Sequence, residues 1–286
     1  MMRVYAEGVG LSGPGLDGWR AALPVLRNLQ NHVWASTPVP PSELLPANER
    51  RRAVQTVRLA LAAGAEAFAA AGRDPAETAT VFASSGGDGE TIHEILSVLA
   101  SPHRELSPTR FHNSVHNTPA GYWGIATGSR APASSLCCHD DSFAAGLLEA
   151  VVQAIVGRCV VALIAYDVQY PPPLRDARPV GAAFAVALVL APMPTKAALG
   201  SINLRLQPGS RMARSRTAST MPSAGLERLR QTTPAARSLP LLAALACGAE
   251  AAVTIDYLAD MALVLEVAPV SADLMSEVGG AWQAAR

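Results

Sequence analysis

Three short apolar runs constrain this chain more than any other feature: "TATVFASS" (78–85), "CVVALIAYD" (159–167) and "VGAAFAVALVLAP" (180–192). The last lacks the polar alternation of a half-exposed strand, so it reads as a strand covered on both faces. It is too short to cross a bilayer. Helical patterns separate the runs. "GGDGETIHEILSVLA" is a turn leading into a helix, "TPAGYWGIATG" (118–128) reads as helix, and "DSFAAGLLEAVVQAIVG" (141–157) as another. Between the last two, "PASSLCC" (132–138) is expected to be a strand. Upstream, "RVYAEGVGL" (3–11) is a first strand and residues 45–72 form one long helix. In that helix Val54, Val57, Leu59, Leu61 and Ala65 recur at near-helical spacing, and Gly72 is a C-terminal stop. Downstream come a strand "ALGSINLRL", a helix at 239–250 and a strand pair, "AAVTIDYLA" and "MALVLEVAP". Alternating strands and helices imply an α/β fold around a largely buried sheet.

A chain of 286 residues can bury roughly 75% of its unfolded surface. Half of it is apolar, 16% is charged and only 5% is aromatic, so the core must be built from Ala, Val and Leu. Basic and acidic residues balance at 23 each, which argues against the broad positive face of a nucleic-acid binder. The N-terminus carries no apolar run of signal-peptide length, and no membrane span is expected. Cys137, Cys138, Cys159 and Cys247 show no CxxC spacing. Reduced thiols, a cytoplasmic setting, and no metal or other cofactor are therefore expected. Residues 208–238, rich in Ser, Thr, Pro and Arg, read as a mobile loop with a short helix at 224–231.

"SSGGDGE" (84–90) lies between a strand and a helix, the setting of an anion cradle. It lacks the Lys-Ser/Thr of a P-loop and does not match GxGxxG, so a tight structural turn is preferred. His112 and His116 lack a third ligand at plausible spacing and read as surface or interface residues. The junction "SSLCCHDDSFAAGLLEA" (134–150) is the most informative stretch. A cysteine at a helix N-terminus is activated by the helix dipole. Cys137 and Cys138, however, are expected in the strand, before the turn. Asp140, Asp141 and Ser142 stand at the helix start, where acidic residues and serine are ordinary caps. All six histidines fall at or before position 139, so an imidazole base for a nucleophile must come from the first half.

This junction resembles the β-ketoacyl synthases of the thiolase superfamily. Their signature runs from an asparagine through Ala-Gly on a helix and a Gly-x-Arg-Gly-Pro turn to a short strand ending Thr-Ala-Cys, where the cysteine attacks. The same order appears here as Asn117, Ala120-Gly121, Ile125, "GSRAP" (128–132) and "ASSLCC". Aligned without gaps from Asn117, the nucleophile position falls on Asp140, with Cys138 two residues short of it. The blocks "HNSVHNTPAGYW" and "DDSFAAGLLEA" are similar to the short chain-length-factor subunits of bacterial aryl-polyene and xanthomonadin-type pigment clusters.

The resemblance implies a thiolase-like αβαβα layered fold with an abbreviated second half. It divides the chain into a ketosynthase-like part, 1–207, and a shorter part, 208–286. The departures imply the function. The attacking cysteine is replaced by a carboxylate, and the two second-half histidines that assist condensation in synthases have no counterpart. The expectation is a non-catalytic subunit that pairs with an active ketosynthase in a heterodimer and shapes its acyl tunnel. A malonyl-ACP decarboxylase, an active synthase using Cys138 and a stand-alone acyl-binding protein are the rivals. By the same resemblance, the strand "SSLCC" is the subunit seam, with Val115, His116, Asn117, Cys137 and Cys138 as interface and tunnel candidates. Asp140 is expected at the head of the 141–157 helix, stabilised by its dipole by roughly 0.3–1 kcal/mol. Arg211, Arg214 and Arg216 belong to an arginine-rich stretch that would dock an acidic acyl carrier protein.

Overall fold

The structure is a computed structural model that describes residues 1–102, 104–208 and 218–270. Its frame is one mixed sheet of nine strands in the order β4-β3-β5-β6-β1-β7-β9-β8, with β2 paired to β1. The strands are β1 (Met2–Gly13), β2 (Leu16–Asp17), β3 (Ala79–Ala83), β4 (Ala133–Leu136), β5 (Val161–Asp167), β6 (Phe184–Ala191), β7 (Gly200–Pro208), β8 (Ala251–Tyr257) and β9 (Met261–Ala268). β3 runs parallel to both β4 and β5, and every other pairing is antiparallel.

Helices cover the parallel part on both sides, which is why β5, buried along its whole length, is apolar up to Asp167. On one face Phe82, Ile164 and Tyr166 pack against α3 (Gln55–Ala71) and against Tyr122 and Trp123 of α6 (Thr118–Thr127). Gly8 and Gly10 of β1 admit α3, because a Cβ on either would overlap the carbonyl of Ala67 or Ala63. On the other face Val81, Ala83, Leu163 and Ala165 meet Phe143, Leu147, Ala150 and Val151 of α7 (Ser142–Gly157). A Cβ at Gly146 of α7 would stand 2.8 Å from Ala83 Cβ and Leu163 Cδ1, so glycine lets the helix lie directly on the sheet.

The same core takes in Val253 and Ile255 of β8, Leu263 and Leu265 of β9, and Leu241 and Leu242 of a helix at Leu239–Cys247. β8 also touches α7. The antiparallel strands therefore return over the helices that the parallel strands carry, giving alternating helix and sheet layers. The outward face of β7, β9 and β8 bears Asn203, Arg205, Thr254, Asp256 and Glu266. Among the described residues no further helix layer covers that face.

Several expected boundaries move. The helix expected over 45–72 is two, α2 (Ala47–Arg52) and α3, divided where Val54 adopts an extended conformation. α2 buries none of its residues, so no packing holds it in line with α3. The strand expected over 132–138 ends at Leu136, and both cysteines lie beyond it. The final helix stops at Cys247, capped by left-handed Gly248. Three short helices had not been expected: α1 (Trp19–Leu26), α5 (Pro108–Asn113) and α8 (Leu174–Ala177). The helix after the glycine turn, α4, spans Gly89–Leu99.

Of the stretch expected as a mobile loop, 209–217 lies outside the described residues. From Ala224 it forms α9 (Ala224–Thr232) and a 3₁₀ turn at Pro234–Ser238. Leu226, Leu229, Ala235 and Ala236 of this part are buried in the core. We number the helix at Leu239–Cys247 α10.

Candidate functional site

The chain turns sharply between β4 and α7. Cys138 adopts φ −136° and ψ 39°, and His139 takes a left-handed φ of 50°. The Ser142 hydroxyl secures the turn, accepting from the Cys138 N–H at 2.9 Å and donating to the His139 carbonyl at 2.7 Å. A 3₁₀ turn, His139–Asp141, then leads into α7. Asp140 thus precedes the helix by a short turn instead of sitting in its first turn, and its main electrostatic partners are side chains.

Those partners are two arginines. Arg178, from the loop after α8, places Nη2 2.6 Å from Asp140 Oδ1. Arg237, from the 3₁₀ turn Pro234–Ser238, reaches Asp140 Oδ2 at 3.5 Å and donates to Asp141 Oδ1 at 2.7 Å. His139 Nδ1 stands 3.6 Å from Asp140, on a side chain that is 70% exposed. The cluster walls a cleft of about 410 Å³ whose other side includes Gly181, Gln231 and Thr232. Asp140 is thus paired electrostatically with two guanidinium groups, and a carboxylate is a weak nucleophile.

Burial pushes the Cys138 thiol up from its ordinary pKa, and the negative charge of Asp141 and then Cys137 adds to that. Activation requires the opposite shift. The Cys137 thiol is spent as a donor to the Ser85 carbonyl at 3.2 Å.

Beneath the elbow lies a residue that the sequence reading passed over. Asp167, at the end of β5, is buried and accepts from the Ser85 N–H at 2.8 Å, the Ser85 hydroxyl at 2.6 Å and the Ala235 N–H at 2.8 Å. Burial raises its pKa, and these hydrogen bonds oppose the rise. Asp167 joins the end of β3 to the turn that carries Arg237. The sequence signal was an acidic residue closing an otherwise apolar strand.

The glycine turn 84–89 is a packing device. Asp88 caps α4 by accepting from the Thr91 N–H at 3.1 Å, and Gly87 holds a φ of 66° that favours glycine. Cβ atoms on Gly86 or Gly89 would overlap Tyr170. The structural reading of this turn accounts for its glycines.

The remaining expected residues divide between places. Val115 and Asn117 are exposed before α6, and His116 Nε2 lies 3.0 Å from the Leu136 carbonyl at the end of β4. β4 is a terminal strand of the sheet. Apolar side chains of the helices beyond β3 and β4 face solvent: Leu96 and Leu99 of α4, Phe111 of α5, Val115 and Ile125. Arg211, Arg214 and Arg216 lie outside the described residues. The later arginines of the same stretch are engaged: Arg230 pairs with Glu227 at 2.6 Å, Arg237 joins the elbow, and Arg228 stacks 5.5 Å from the Trp34 ring. Among the described residues no three metal-ligating side chains converge, and no helix is long and apolar enough to cross a membrane.

Comparison with known proteins follows the same lines. Residues 26–249 match the family model described as beta-ketoacyl synthase, N-terminal domain. No curated protein sequence matches the chain. Among solved structures, the chain is similar to a ketosynthase (ApeO) in complex with its chain length factor (ApeC) from Xenorhabdus doucetiae. The likeness has a TM-score of 0.69 at 20% identity and covers 93% of this chain and 100% of that one. The ishigamide ketosynthase/chain length factor gives a TM-score of 0.69 at 14% identity, over 95% of this chain and 100% of that one. A type II polyketide synthase acyl-carrier protein in complex with its ketosynthase bound to the hexaketide (AntDE:AntF) gives 0.72 at 11% identity, over 94% and 99%. At these identities the likeness is one of fold.

Proposed function

The chain belongs to the beta-ketoacyl synthase family, and we propose that it serves there as a non-catalytic chain-length-factor subunit. It would pair with an active ketosynthase, shape that enzyme's acyl tunnel and limit the length of a polyene or fatty-acid-like product. The feature that supports this reading is the elbow, where Asp140, aligned with the nucleophile position by the resemblance, lies against Arg178 and Arg237. A synthase working through Cys138 would need a thiol shifted downward, and this one is shifted upward. A decarboxylase would need donors facing a thioester carbonyl, and the two arginines of the elbow lie against Asp140 and Asp141 instead.

The open β4 edge supports a partner. An unpaired edge strand beside exposed Leu96, Leu99, Phe111, Val115 and Ile125 invites pairing that a second subunit would satisfy in a controlled way. In this arrangement Val115, His116 and Asn117 border the partner's tunnel, and Cys137 and Cys138 lie at the seam. Arg211, Arg214 and Arg216 remain the proposed contact for an acidic acyl carrier protein. Exposed Arg50, Arg51 and Arg52 of α2 offer a second basic patch. In this reading residues 1–207 are the ketosynthase-like part and 208–286 an abbreviated second half.

Co-expression with an active ketosynthase followed by gel filtration tests the pairing. A 1:1 complex is expected, and a soluble homodimer indifferent to the ketosynthase would overturn it. Within the complex, Val115→Trp should shorten the product. An unchanged product distribution would reduce Val115 to ordinary packing.

A further inference from the structure

The sheet has two terminal strands, β4 and β8. The free side of β8 is covered only in part: the Ser219 N–H donates to the Thr254 carbonyl at 2.8 Å, and the Thr254 N–H donates to the Ser219 hydroxyl at 3.0 Å. Before Thr254, Ala251, Ala252 and Val253 line an open groove of about 530 Å³ between β8, α10 and the end of α1. Its walls are mainly apolar, from Leu26, Met221, Pro240, Ala243 and Ala244. Cys247, an exposed thiol, belongs to the same wall, and Arg27 and Glu250 are its charged members. The last strand delivers the chain to this place. Val267 of β9 lies opposite Ala251, and a second hollow shares Glu250, Ala251 and Ala252 with the groove and reaches Val267 and Ala268.

We infer that this groove is the docking site of residues 271–286, the segment that follows β9 and lies outside the described residues. Leu274, Val278 and Trp282 recur at i, i+4 and i+8, the spacing of one helical face. Their chemistry fits the walls: two aliphatic side chains and an indole, which can bury about 150–250 Å². Asp273, Glu277 and Arg286 bring charges of both signs to a groove that holds Arg27 and Glu250. Length is sufficient. As a helix the segment would extend about 24 Å, and neighbouring strands lie only about 4.8 Å apart. Seated there, the segment shields the β8 end of the sheet and leaves β4 as the open edge.

The test is a disulfide trap in the full chain. With copper-phenanthroline as oxidant and at low protein concentration, Ala281→Cys should close an intramolecular bond to Cys247, identified by non-reducing peptide mapping. Cys137 and Cys159 are also exposed and serve as internal controls. The rate of closure follows effective concentration. Adding Leu274→Asp and Trp282→Ala, which remove two of the three anchors, should therefore slow it by about 10-fold. Should that triple variant fail to fold, Ala281→Cys with Trp282→Ala alone carries the same readout. Absence of the bond, pairing spread over the other cysteines, or a rate that the anchor substitutions leave unchanged overturns the inference. A bond formed only between chains also overturns it, and assigns the groove to a second copy.

Discussion

α4 and α7 start from similar places and meet different fates. Each follows a turn after a parallel strand, and each is mostly apolar: α4 carries Ile92, Ile95, Leu96, Val98 and Leu99, and α7 carries Phe143, Leu147, Leu148, Val151 and Ile155. α7 buries eight of its residues, lying on β3 and β5 at Gly146 with β8 against it. α4 buries only Gly89 and Thr91. The polar contacts divide the same way. The elbow ahead of α7 is tied by two arginines and a serine, whereas α4 is held by its Asp88 cap and, among the described residues, by the pair of Arg110 with Glu94 at 2.8 Å, both partly exposed. The difference teaches that α7 is packed by residues of its own chain, whereas α4 leaves Leu96 and Leu99 exposed among the described residues.

The largest expected effect is in the core. Leu147→Ala should destabilise the chain by about 2–5 kcal/mol, whereas Leu96→Ala should stay within about 0.5 kcal/mol, both read by urea denaturation. Equal costs would mean that α4 is already packed within its own chain, and the comparison would break. In the complex the ranking reverses at α4: Leu96→Asp with Leu99→Asp should weaken ketosynthase binding by about 100-fold, measured by calorimetry. Unchanged affinity would remove α4 from the interface.

A smaller effect separates the ion pairs. Arg230, followed by the Met221 N–H and Gln231, holds Glu227 at a pKa of about 2, below the ordinary 4.5, although its burial opposes this. A carboxyl lowered in the folded state binds fewer protons there than in the unfolded chain. Its contribution is therefore full above about pH 4.5 and is lost as the pH falls toward 2. Glu227→Gln should cost about 1.5–3 kcal/mol at pH 7 and flatten the acid limb of a stability profile. An unaltered limb would assign acid sensitivity elsewhere. Smallest is Asp140→Ala, expected to cost about 1 kcal/mol because the carboxylate is 39% exposed and its pairs are partly screened. Thermal melts check this, and a loss above about 3 kcal/mol would make the clamp a major support of the fold.

Much of the architecture could be read from the sequence because its signals are local. The apolar runs 159–167 and 180–192 mark β5 and β6, Gly72 caps α3, and the apolar pattern after Asp141 marks α7. What escaped depends on distant contacts. Nothing near Val54 in the chain shows that α2 and α3 diverge, because the break reflects what α3 packs on and α2 does not. The carboxylate at position 140 was evident from the Asn117 register. Its partners were not, since Arg178 and Arg237 lie 38 and 97 residues downstream. Asp167 was hidden for a related reason: its donors come from Ser85 and Ala235, on segments that meet only in the fold.

The central claim is that this chain accompanies condensation without carrying the acyl group. Intact mass spectrometry of the co-purified complex after incubation with acyl-ACP tests it most directly. The account predicts an acyl increment on the ketosynthase and an unmodified mass for this chain, including its Asp140→Cys variant, which gains a thiol but neither assisting histidine. A stable acyl adduct on wild-type Cys137 or Cys138 would contradict it.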